Sequence, residues 1–296
     1  MNDVTQSFRG PPHRYLDVGH AKLAYRCFGS GPDVVFIHGW PLSSATWRDV
    51  VAAMQNRFTC HLIDLPGAGQ TELLGGTAFG IASHAKTVRD AIGQLGLSRY
   101  ALVAHDSGGG IARYVAQGDA DKVSSIVLAG TEIPRHHSTL LKLFVALRGL
   151  PTSAWRAVMS VGFLRRSRLM LGSAFENPAH GEGEFHELMI APLLASNDAM
   201  EGPMTFLRAL DPREIDGLDR VHADITAPTL LVWGSDDKFF PVEAAREMAD
   251  QFGGPTTFVE IPKGRTFVHD EQAERFAELA SEHLGKTIGR ATLRAS

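Results

Sequence analysis

The sequence is 296 residues long, 44% hydrophobic and of formal net charge −4, enough chain to bury a sizeable core in one large domain or a core with an inserted lobe. Its Lys and Arg read as scattered along the chain, which argues against nucleic acid or an anionic membrane as partner. No apolar run approaches the roughly 18 residues of a membrane span and no signal-peptide pattern occurs, so a soluble cytoplasmic protein is expected.

In chain order, residues 1–12 read as a frayed end. Short apolar runs at 34–37, 60–63, 100–104, 125–129, 229–233 and 257–261 then read as strands buried on both faces. Between and after them, 45–54, 82–95, 109–117, 242–251 and 271–283 carry apolar residues at helical spacing. Strand–helix alternation of this kind predicts an α/β fold with a mostly parallel sheet and helices on both faces. The rhythm breaks over 133–222, where helical segments at 140–147, 154–164, 185–194 and 204–210 alternate with Gly, Pro and Asn. That pattern predicts a helical cap inserted into a core made of 1–132 and 223–296. Residues 285–296 read as a second frayed end.

Cys27 and Cys60 lie in strand-like runs and read as buried free thiols. The 13 histidines are dispersed, the His136–His137 pair has no partner at ligand spacing, and no metal or other cofactor is expected.

The chemistry concentrates after the 100–104 strand, at Ala104-His105-Asp106-Ser107-Gly108-Gly109. A sharp strand-to-helix turn strains its central residue and needs small residues two before and two after it. Centring on Asp106 supplies Ala104 and Gly108, whereas centring on Ser107 puts His105 at the tight inner position. Asp106 is therefore the predicted nucleophile. A carboxylate there would attack an sp3 carbon bearing a halide or an epoxide oxygen and form an ester, which water then hydrolyses.

The chain here resembles the aspartate-nucleophile branch of the α/β-hydrolase fold, which includes haloalkane and haloacetate dehalogenases and soluble epoxide hydrolases. Three further segments match in order: His38-Gly39-Trp40-Pro41, Asp64-Leu65-Pro66-Gly67-Ala68-Gly69 and Trp233-Gly234-Ser235-Asp236-Asp237. The resemblance implies an oxyanion hole from the backbone N–H groups of Trp40 and Ser107, a structural role for His38, and Asp237 as the triad acid. Glu132, two residues off the position some relatives use, is the second candidate for that acid.

One position departs. The family's catalytic His should follow the 257–261 strand, but the matching residue is Thr266, within Gly264-Arg265-Thr266-Phe267, and a threonine is no general base near pH 7. His269, one helical turn further on, is the alternative base; equally it reads as a partly exposed residue at a helix start.

The reaction is resolved only in outline. Ser107 stands where haloalkane dehalogenases carry a halide-binding Trp, although Trp40 could offer an indole N–H from the other side. Haloacetate dehalogenases carry arginines where Ser107 and Gly110 stand. Epoxide hydrolases use cap tyrosines, and Tyr15, Tyr25, Tyr100 and Tyr114 all lie outside the cap, leaving His136, His137, His180 or His186 as donors. The reading is therefore an epoxide hydrolase-like enzyme for a small, largely apolar substrate, ahead of a dehalogenase, a non-hydrolytic ligand-binding variant of the fold, and a serine esterase using Ser107.

Overall fold

The computed structural model describes residues 2–292. Within them one sheet runs β1 (Arg14–Asp17), β2 (Ala21–Phe28), β4 (Thr59–Ile63), β3 (Asp33–Ile37), β6 (Tyr100–His105), β7 (Val123–Ala129), β8 (Thr229–Gly234) and β9 (Thr256–Ile261), with the short β5 (Glu72–Leu73) paired to β2. All pairings from β4 to β9 are parallel; β1–β2, β2–β4 and β2–β5 are antiparallel. The parallel strands are the apolar runs expected from sequence. Strands β1 and β5 were not expected, and β2 only as the strand-like run around Cys27; their mixed residues fit strands once β2 pairs with β4 and offers its own edge to β1 and β5.

Alternation along each central strand feeds two cores. Val35, Ile37, Leu102, Ala104, Ile126, Leu128, Leu231 and Trp233 face one side; there the helices Ile81–Leu95, Ser107–Gly118, Leu218–Asp224 and Val242–Met248 cover the sheet. Val34, Phe36, Ala101, Val103, Val127, Ala129, Leu230 and Val232 face the other, under helices Asp3–Ser7, Arg48–Met54 and Ala273–Thr292. A period of two with both faces apolar is what a sheet covered twice requires.

Both expected frayed ends are corrected. Asp3–Ser7 is a helix whose Val4 is fully buried and whose N-cap, Asn2, accepts from Thr5 N at 2.7 Å. The last helix runs on to Thr292, and residues 293–296 lie outside the described residues. Several helices also divide where one was expected. The 45–54 segment begins as a 3-10 turn at Ser44–Trp47, 154–164 breaks at Val161, 185–194 contains a π-helical stretch at His186–Ile190, and 271–283 belongs to two helices.

The connection from β7 to β8 is the helical stretch, with helices from Thr139–Leu147 to Leu218–Asp224. It carries a third apolar cluster, including Phe144, Trp155, Phe175, Met189 and Met204, which closes on Leu42, Ala45 and Phe267 of the sheet's loops. No helix among the described residues is long and apolar enough to cross a membrane.

Candidate active site

The strand order reverses between β3 and β6: from β3 the chain passes to β4 on one side, and from β6 onward it continues to the other. Loops at the carboxyl ends of parallel strands diverge at such a point and leave a crevice. His38–Trp40 follow β3 there and Asp106 follows β6, with the loops after β7, β8 and β9 alongside.

Asp106 has φ +48° and ψ −139°, a strained conformation for a residue with a side chain. The strain falls on Asp106 and not on Ser107, which is already the first residue of the helix Ser107–Gly118. Two glycines make the turn possible. A Cβ on Gly108 would stand 2.4 Å from the His38 carbonyl oxygen, and one on Gly39 would stand 2.5 Å from both Cβ and Oδ2 of Asp106. The turn is tied down by Asp106 N donating to the Gly130 carbonyl at 2.8 Å and Gly109 N donating to the Asp106 carbonyl at 2.7 Å.

The Asp106 carboxylate faces the expected pair of backbone donors. Trp40 N donates to Asp106 Oδ2 at 2.8 Å and shares that proton with Ser107 Oγ at 2.9 Å. Burial pushes the Asp106 carboxyl up to about 8, and the Glu132 and Asp237 charges push the same way, against hydrogen bonds from Ser107 and Trp40 N–H. His38 is structural: its Nε2 accepts from Leu65 N at 3.0 Å and its Nδ1 lies 3.1 Å from the Gly39 carbonyl. His105 likewise accepts from Gly39 N at 3.1 Å and holds the loop that carries Trp40.

Asp237 and Thr266 meet. Oδ1 of Asp237 accepts from Thr266 Oγ1 at 2.7 Å and from the backbone N–H groups of Phe239 and Phe240 at 2.8 and 3.0 Å. Its Oδ2 is buried without a partner among the described residues. An unmet buried acceptor costs roughly 1–3 kcal/mol, and burial pushes the Asp237 carboxyl up to about 6. A ring N–H in place of the short Thr266 side chain is the donor type that such an oxygen lacks. Asp236, by contrast, is exposed.

His269 is kept apart from this group. It is fully buried, not partly exposed, with Nε2 2.9 Å from Thr46 Oγ1 and its ring packed on Trp47 and His105 at centroid distances of 4.6 and 3.8 Å. Burial pushes its pKa down to about 3. Its neighbour Phe267 lines the cavity above Asp106; His269 does not.

Glu132 does line that cavity. Thr131 Oγ1 lies 2.8 Å from both Glu132 Oε2 and the Asp106 carbonyl, and the fully buried Arg113 donates to Thr131 Oγ1 at 2.9 Å with Glu132 Oε2 at 3.6 Å. Sequence reasoning had Glu132 only as a reserve acid and missed Arg113 and Thr131. An arginine one helical turn past Gly109, on the face that packs on the sheet, was the available signal.

The cavity lies between the sheet's carboxyl ends and the helical insertion. Its wall is almost wholly apolar, with Phe144, Trp155, Met204, Phe239 and Phe267 among its residues, and its polar groups are Asp106, Ser107, Glu132 and Thr266. Two expected donors are not there. Trp40 Nε1 is committed to the Pro203 carbonyl at 2.7 Å, so its indole is not free to hold a halide. Among the histidines of the insertion, His137 pairs with Asp216, His180 with Asp270, His136 is exposed, and none of these nor His186 lines the cavity. No group of side chains that could hold a metal occurs among the described residues.

A family model described as alpha/beta hydrolase fold matches residues 32–273. The chain belongs to the α/β-hydrolase fold family. Within that family it is 26% identical to haloalkane dehalogenase 2 of Mycobacterium tuberculosis over 273 residues, 92% of this chain and 94% of that protein. It is 33% identical to a soluble epoxide hydrolase of Corynebacterium sp. over 116 residues, 39% of this chain and 40% of that one. The solved structure of the epoxide hydrolase CorEH without ligand superposes with a TM-score of 0.78 at 21% identity, covering 94% of this chain and 99% of that chain, a likeness of fold. In this α/β-hydrolase fold the segments 38–41, 104–109 and 233–237 lie at the carboxyl ends of β3, β6 and β8.

Proposed function

We propose that the protein is a cofactor-free hydrolase that opens an apolar epoxide through an ester on Asp106. The observation that carries this reading is the Asp106 carboxylate at the tip of a strained elbow, bonded to Trp40 N–H and facing an apolar cavity.

The chemistry needs one proton in the cavity, and the carboxyl pair Asp106 and Glu132 supplies it. Burial, and after it the Glu132 charge, raise the Asp106 carboxyl to about 8, so near neutral pH Asp106 holds a proton. As that proton passes to Glu132, Asp106 attacks the epoxide carbon, the carbon–oxygen bond breaks, and Glu132 protonates the leaving oxygen, which stays attached to the product. Water then attacks Cγ of Asp106, Glu132 takes its proton, and the N–H groups of Trp40 and Ser107 hold the oxyanion. Collapse releases the diol with one original Asp106 oxygen, and the alcohol proton and the shared proton account for both water hydrogens. Glu132 thus performs the water activation that Thr266 cannot.

An epoxide is favoured over a carbon–halogen bond because a departing halide needs free N–H donors. The indole N–H groups of both tryptophans in the cavity wall, Trp40 and Trp155, are bonded to backbone carbonyls. The apolar wall favours an apolar substrate by about 0.8 kcal/mol per buried methylene.

The test is intact mass after exposure to aryl and alkyl epoxides, 1-haloalkanes and haloacetates, with diol, alcohol and halide assayed together. An adduct mapped to Asp106, or diol release abolished in Asp106→Asn, is expected from the epoxides. A second reading, ligand binding without turnover, draws on the partnerless Asp237 Oδ2 beside Thr266; saturable binding with neither adduct nor product would favour it.

A further inference from the structure

The helical insertion is apolar on its outside as well as its inside. Helix Thr139–Leu147 turns Phe144 into the cavity and Leu143 outward; helix Thr152–Ser160 turns Trp155 and Met159 inward and Val158 outward. Of ten large apolar side chains exposed among the described residues, seven lie between Leu143 and Leu169, with Phe163 at 76% and Leu169 at 69%. A helix apolar on both faces is normally covered on both, and so dense a cluster of exposed apolar groups marks a contact site.

Charge says what covers it. From Lys142 to Arg168 the chain carries six Lys and Arg and no Asp or Glu, although the whole protein has net charge −4. Only Arg165 of the six is in an ion pair among the described residues, with Glu182 at 2.8 Å. Arg148, Arg156 and Arg168 bond to neutral oxygens, and Lys142 and Arg166 are exposed. The positive charge is therefore not evenly scattered, and the expectation of no membrane partner overlooked this stretch.

We propose that the outer face of residues 139–170 docks on an anionic phospholipid surface, with Phe163, Leu169 and Val161 among the acyl chains and Lys142 and Arg166 on the headgroups. Amphipathic basic segments with exposed aromatic and aliphatic side chains bind interfaces in this way without spanning them. A second copy of the chain is disfavoured, because a two-fold interface would set this positive face against itself. Docking would bring the wall of the cavity against the phase in which apolar molecules concentrate, and it does not depend on the chemistry at Asp106.

The experiment is co-sedimentation of the full chain with vesicles of phosphatidylcholine alone and with about one-third phosphatidylglycerol. Binding to the anionic vesicles, weakened by salt, is expected. Lys142→Gln and Arg166→Gln should each weaken it about fivefold, equivalent to about 1 kcal/mol, and Phe163→Ser with Leu169→Ser should lose at least about tenfold. Thermal melting checks that each variant folds. No binding to anionic vesicles at low salt, equal binding to neutral ones, or binding indifferent to all four substitutions would overturn the proposal. So would a dimer, measured by light scattering, that the Phe163 and Leu169 substitutions dissolve, since the face would then belong to a second copy.

Discussion

Thr266 Oγ1 donates to Oδ1 of Asp237 at 2.7 Å, while Oδ2 of the same carboxylate is buried with no partner. The acid is held by three donors on one oxygen and by none on the other. On the proposed reading, an acid positioned this way, next to a side chain that has no basic nitrogen, would be one end of a proton relay that lacks its middle member.

Replacing Thr266 by His should therefore complete the relay. Its ring would donate to Asp237 Oδ2 and present the other nitrogen to the Asp106 ester. A positioned base contributes about 10²–10⁴-fold, and diol release by Thr266→His measured in the steady state should rise within that range. A variant that forms the adduct at the wild-type rate yet releases diol no faster would show that the ring does not reach.

Glu132→Gln should slow both steps. The amide can neither protonate the opening epoxide oxygen nor take a proton from water, so adduct formation followed by intact mass and diol release should both fall. Thermal melting of the variant keeps loss of the Arg113 contact from being confused with loss of catalysis.

The raised carboxyl values set a pH dependence with a definite sign. The proton that the Asp106 carboxyl holds up to about 8 is the one the epoxide oxygen takes, so adduct formation should be level near neutral pH and fall as pH rises through about 8. Stability should run the same way. A carboxyl whose folded value exceeds its unfolded value of 3.8 stabilises most below that value, and the contribution is lost as pH rises through about 6 for Asp237 and about 8 for Asp106. Asp106→Asn removes that loss, so its melting temperature should gain steadily on wild type as pH rises from about 5 to about 8.

Gly39 is predicted to be intolerant of a single methyl group. The added Cβ would overlap Asp106 Cβ and Oδ2 at 2.5 Å, so Gly39→Ala should displace the carboxylate or the Trp40 N–H. A shift of about 1 Å costs about 10²-fold in rate, measurable as slower adduct formation, together with about 1–3 kcal/mol of stability from overpacking.

Much of this arrangement is legible in the sequence. The parallel strands announced themselves because both their faces are buried, and a strand such as β6, with all six residues buried, leaves no polar alternation to mistake. The elbow was legible because Ala104 and Gly108 satisfy a steric demand that involves only near neighbours. What escaped depends on distant partners. Strands β1 and β5 exist because β2 offers them its edge. His269 looked exposed at a helix start because Trp47 and His105, far away in sequence, are what bury it. Trp40 looked free to bind a halide because its acceptor, Pro203, lies in the helical insertion. The stretch from Lys142 to Arg168 was countable in sequence, yet its apolar outer face became evident only once the helices had chosen which side lines the cavity.

The central claim, attack by Asp106 and hydrolysis at its own carbonyl, is tested most directly with oxygen-18 water. The protein turns over an epoxide many times in labelled water, and the peptide containing Asp106 is then weighed. The account predicts that the Asp106 carboxylate gains heavy oxygen, and that diol from a single turnover carries the enzyme's unlabelled atom. Labelled diol from the first turnover beside an unlabelled Asp106 would mean that water attacks the substrate directly and that no ester forms.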